Sequence, residues 1–101
     1  MKINQEHIDA VAEYLGEENI RYFKHLKGLT GDVFPVLRIN RERKGIPIHP
    51  VHLREGMQIR NYLRKTFPNV FVGMDQNKIE RYTERLMNKL IKSNKIANET
   101  N

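Results

Sequence analysis

A chain of 101 residues without cysteine forms one domain with a modest core, and it can hold no disulfide, thiol nucleophile or cysteine-ligated zinc. Its formal charge of +6 points to anionic partners (nucleic acid, acidic protein or membrane surface) or to a solvated surface that keeps it soluble. No apolar run approaches a membrane span, and the first residues are too polar for a signal peptide. The expectation is therefore a cytoplasmic protein with no membrane contact.

The charge is concentrated. Between Arg38 and Lys65 eight Lys or Arg stand against Glu42 and Glu55, while the remainder has ten of each sign. By this count the whole excess falls in the middle of the chain.

Taken in order, Asn4 is a good helix N-cap and Ile3 can staple onto Ile8 across it. Ile8, Val11, Ala12 and Leu15 recur at helical spacing until Gly16 supplies a stop. Glu17 and Glu18 put negative charge at the positive end of the next helix. Ile20, Phe23 and Leu26 face inward there, and Gly28-Leu29 fits a Schellman end. These two helices are expected to form a hairpin with a very short connection.

Residues 32–44 read in two ways. As a helix, Asp32 caps, Pro35 falls in the tolerant first turn, and Val33, Val36 and Leu37 share a face. As a hairpin over 33–48, Arg43 would face Ile46 and Arg41 would face Ile48, mixing charge with apolar side chains. The helix is the better fit. The expected fold is an all-α bundle of four or five helices over residues 1–92, with an α+β domain as the alternative. Residues 93–101 are expected to form a flexible polar tail.

Pro50 suits the first turn of the central helix, which runs to near Thr66, before Pro68. On a helical wheel Ile59, His52, Leu63, Gly56 and Phe67 share one arc, with Arg60, Leu53 and Met57 on its flank. Arg54, Gln58, Asn61 and Lys65 make the opposite, polar arc. Gly56 marks a close crossing of another helix, or else the approach of a ligand to the backbone. Arg60 at the margin of the apolar arc needs an acid from elsewhere, with Glu80, Glu84, Asp75 and Glu13 as candidates. The less favoured reading of Arg60 is an anion site.

His52-Leu53-Arg54-Glu55-Gly56-Met57-Gln58-Ile59-Arg60-Asn61 resembles the H-x-x-x-G-M-x-I-R-N helix of certain small bacterial proteins of unknown function. In those an aromatic pair often follows and a second helix opens with Asp. Here Tyr62-Leu63 replaces the expected tryptophan, while Asp75 is present. The resemblance covers about residues 49–92 and rests on one motif. It implies a helical fold and supplies no activity; the structural roles read for His52, Gly56 and Arg60 rest on their places along the helix.

After the central helix, the apolar loop 69–73 should tuck into the core. Met74 and Asp75 repeat the staple-and-cap pattern, and Ile79, Tyr82, Leu86 and Leu90 form the inward stripe of a last helix ending near Lys92.

No catalytic, cofactor-binding or metal constellation emerges. His49 and His52 are two imidazoles without a third ligand and read as cap and packing. His7 and His25 stand alone on helices. Glu80 and Glu84 read as a solvated face beside Arg81 and Arg85, and no phosphate loop or nucleophile elbow is present. The first functional reading is therefore a non-catalytic interaction or structural module, with a protein partner or a second copy. Exposed apolar residues from Val70-Phe71-Val72 and the last helix would make the contact. The alternative is a nucleic-acid-binding module using the basic segment 38–65. Arg, Gln and Asn carry the paired donors and acceptors that match base edges, which suits Arg54, Gln58 and Asn61 with Lys65 beside them. Arg41, Arg43, Lys44 and Arg64 would neutralise flanking phosphates.

Overall fold

The computed structural model describes residues 2–34 and 50–93, and the side chains of residues 50–55 lie outside that description. Among the described residues there are three helices: α1 (Gln5–Thr30), α2 (Pro50–Thr66) and α3 (Gln76–Ser93). Among the described residues there is no strand, so the all-α class holds.

Among the described residues three helices stand where four or five were expected over the chain, for two reasons. The two expected N-terminal helices both lie within the 26 residues of α1, divided at the expected stop, with non-helical Gly16 as their whole connection. Gly16 takes φ 79°, ψ 166°, a conformation reserved for glycine, so helical hydrogen bonding resumes at once beyond the break. The helix or hairpin expected over 32–48 falls, beyond its first residues, outside the described part of the chain, as does the polar tail past Ser93. Residues 32–34 are not helical, although Val33 and Phe34 are buried.

Local chemistry explains the helix ends. Asn4 Oδ1 accepts the Glu6 N–H at 2.8 Å, and Asp75 Oδ1 accepts the Lys78 N–H at 2.8 Å. Each cap satisfies an amide that has no partner inside its own helix. The stapling residues Ile3, Ile8 and Ile79 are buried, and Met74 packs against the same cluster. At the other end of α1 the expected Gly28 cap is wrong by three residues. Gly31, at φ 84°, closes the helix by donating its N–H to the Lys27 carbonyl at 2.7 Å. This is the αL form of helix end, and Gly28 is simply helical.

The core centres on α3 rather than on α2. Ile79, Tyr82, Thr83, Leu86, Met87, Leu90 and Ile91 are all buried on α3. That face is wider than the four-residue stripe read from the sequence, because α1 and α2 both pack on it and α1 makes the larger contact. From α1 come Ile8, Val11, Ile20 and Phe23, and from α2 come Ile59 and Leu63. The loop after α2 sends Phe71 inward and leaves Val72 72% exposed, so only half of the expected tuck occurs.

Candidate nucleic-acid interface

The two faces of α2 separate as the wheel requires. Ile59 and Leu63 are fully buried, and Gly56 and Arg60 are buried beside them. Gln58, Asn61, Arg64 and Lys65 are exposed. Met57, expected on the flank of the apolar arc, is 44% exposed and belongs with the outer face. Arg54 and His52 sit on the helix, but their side chains are outside the described set. Arg41, Arg43, Lys44 and His49 lie outside the described residues altogether.

Arg64 is held rather than loose. Its guanidinium carbon stands 5.3 Å from the centre of the Phe71 ring, and Nη1 donates to Asn61 Oδ1 at 3.4 Å. The buried ring therefore aims a cation along the outer face of α2. Asn61 Oδ1 accepts this bond with one of its two lone pairs.

Arg60 shows the opposite arrangement. It is 6% exposed, and among the described residues its Nη1 is buried without a hydrogen-bond partner. Burial pulls its pKa down, Glu80 pushes it back up, and Arg64 pulls it down further. Of the acids considered for Arg60, Glu80 is the one whose field reaches it. No ion pair forms between them, and both Glu80 and Glu84 are half-buried rather than solvated.

A cleft of about 260 Å³ lies where α1 breaks, between Tyr14, Leu15, Asn19 and Phe23 on one side and Gln58 and Ile59 on the other. Tyr14 stacks on Tyr62 with ring centres 4.2 Å apart and planes 15° from parallel, joining α1 to α2. Asn19 spends one donor on the Leu15 carbonyl at 2.7 Å. Gln58 thus belongs both to the outer row and to this cleft.

His7 is the residue that sequence reasoning misjudged most. Rather than standing alone, its Nδ1 lies 2.6 Å from the Tyr82 phenol oxygen, and its ring packs 4.4 Å from that of Phe67. The partner is 75 residues away, so no local signal could have named it. Burial lowers the His7 pKa, against a smaller upward push from Glu6. The site is structural in what it joins: the start of α1, the end of α2 and the middle of α3.

Among the described residues no three His, Asp or Glu side chains converge on a metal-sized site. No described helix is long and apolar enough to cross a membrane. Comparison of the chain with family models, with curated proteins and with solved structures found no match.

Proposed function

We propose that this chain is a non-catalytic interaction module whose partner is a nucleic acid, engaged by the outer face of α2. The observation that supports this reading is the exposure of Gln58, Asn61 and Lys65 in one row, opposite the buried row of Ile59, Arg60 and Leu63. A rigid helix with its back in the core presents donors at fixed spacing. Gln and Asn offer paired donor and acceptor groups to base edges, and Lys65 and Arg64 supply charge for phosphates. A helix of 17 residues is about 25 Å long, enough to lie along a groove.

The test is titration of labelled duplex and single-stranded pools at low and near-physiological salt. Binding should weaken steeply as salt rises. Lys65→Ala, Arg43→Ala and Lys44→Ala should lower affinity for all sequences alike, whereas Asn61→Ala should alter preference among them. Failure to bind tighter than about 10⁻⁴ M at low salt overturns the reading.

A second reading, a protein partner or a second copy of this chain, has exposed apolar side chains in its favour, among them Val72, one of the residues expected to make the contact. Met57 and Tyr14 are 44% and 45% exposed, and Tyr14 borders the cleft at Gly16. The apolar side chains of the last helix, expected to serve this role, are buried instead. Light scattering that shows a monomer at all concentrations would remove the self-association form of this reading.

A further inference from the structure

The outer face of α3 carries a feature that the charge count along the chain conceals. Lys78, Arg81, Arg85, Lys89 and Lys92 are all exposed. At about 100° per residue they fall within an arc of about 80°, and from first to last they run about 21 Å along the helix. Among the described residues none of the five side chains makes an ion pair or hydrogen bond. On α1, by contrast, exposed Arg21 is paired with Glu17 one turn away.

The acids that cancel this charge in the sequence do not cancel it on the surface. Glu80 and Glu84 turn to the flank of α3 and are half-buried, and Asp75 is used as the N-cap. Exposed Asn77 and half-buried Asn88 lie beside the arc, between it and Glu84.

We propose that this ridge binds the phosphate backbone of a nucleic acid, as an electrostatic contact separate from the base-facing row of α2. The partner class rests on the reading above; the ridge adds a second contact surface and states how it works. Three features favour a polyelectrolyte over other anions. The five cations form an extended line rather than a cluster, which suits a line of charges. An interfacial membrane helix needs an exposed apolar face to insert, and the apolar face of α3 is in the core. A protein interface needs apolar residues at its centre, and the outer arc of α3 has none.

Counterion release sets the expected size of the effect. Each phosphate neutralised on duplex DNA contributes about 0.9 to the slope of log affinity against log salt, and on a single strand about 0.7. Fluorescence anisotropy of a labelled oligonucleotide over a range of salt concentrations reads this slope directly. The variant Arg81→Gln/Arg85→Gln/Lys89→Gln, at exposed positions and with a good helix former, should keep its circular dichroism. Its slope on duplex should be shallower by about 2.7, and its low-salt affinity should fall more than tenfold. Arg81→Lys/Arg85→Lys, which keeps the charge, should retain the slope, and Asn61→Ala should leave it unchanged.

If the wild-type chain binds and the triple variant matches it in affinity and slope, the ridge is idle and the inference falls, while the α2 reading survives. If the wild-type chain binds neither duplex nor single strand at low salt, the α2 reading and nucleic acid as the occupant of the ridge fall together. Binding to vesicles rich in phosphatidylserine that the triple variant loses, without oligonucleotide binding, would assign the ridge to a membrane surface and overturn the proposal.

Discussion

The Tyr82 hydroxyl stands between two elements of the fold, accepting the Asn4 N–H at 3.3 Å and meeting His7 Nδ1 at 2.6 Å. The phenol oxygen can accept from Asn4 and still share a proton with Nδ1 in either direction, so one hydroxyl serves both partners. The arrangement ties the N-terminus of α1 to the middle of α3. Tyr82→Phe leaves the Asn4 amide and Nδ1 without their partner and should cost about 1–3 kcal/mol in denaturant unfolding. A change below about 0.3 kcal/mol would show that water replaces the phenol at no penalty.

The same contact gives stability a pH dependence of fixed sign. The pKa of His7 is lower in the folded than in the unfolded chain, so the unfolded chain takes up more proton in the window between the two. Its contribution is present above the ordinary imidazole value and is lost as pH falls through that value toward the lowered one. His7→Phe, which keeps a ring beside Phe67, should flatten this part of the stability profile. An unchanged slope would assign the dependence to other groups.

Arg60 yields a prediction opposite to that for a paired arginine. With Nη1 buried and unbonded, Arg60→Met keeps much of the side-chain volume and removes an unsatisfied donor, so it should stabilise by about 1–3 kcal/mol. A loss of several kcal/mol would show that the guanidinium is bonded in solution and that the substitution strands its partner.

Two glycines of α1 should respond with opposite signs to the same change. A Cβ at Gly16 or at Gly28 would meet nothing within 4 Å, so space does not distinguish them. Gly16 has φ +79°, and Gly16→Ala should cost about 1–3 kcal/mol through backbone strain alone. Gly28 is helical and exposed, so Gly28→Ala should stabilise by about 0.5–1 kcal/mol. Thermal unfolding of both variants checks the pair, and equal signs would contradict the break at Gly16.

What could be read from the chain was what is local. Asn4 and Asp75 declared their helices because a cap acts within three residues, and the spacing of Ile59, Leu63, Leu86 and Leu90 fixed their faces. The cap at Gly31 was missed because Gly28 offers the same chemistry one turn earlier, and only the hydrogen bond to Lys27 separates them. His7 and Tyr82 could not be paired from sequence, since their contact depends on how α1 lies on α3. The basic ridge was hidden by summing charge along the chain, when burial of Glu80 and Glu84 depends on direction around the helix. Arg60 was rightly placed at a buried margin, and the missing ion pair is a matter of geometry that spacing does not carry.

The most direct test of the central claim is to follow the side-chain amide protons of Gln58 and Asn61 by NMR during titration with an oligonucleotide at low salt. If the outer face of α2 meets nucleic acid, both NH₂ groups should shift and saturate together. The Gln5 amide, which donates to Asp9 at the start of α1, should stay in place. Saturable binding seen by anisotropy, with the Gln58 and Asn61 amides unmoved, would contradict the account.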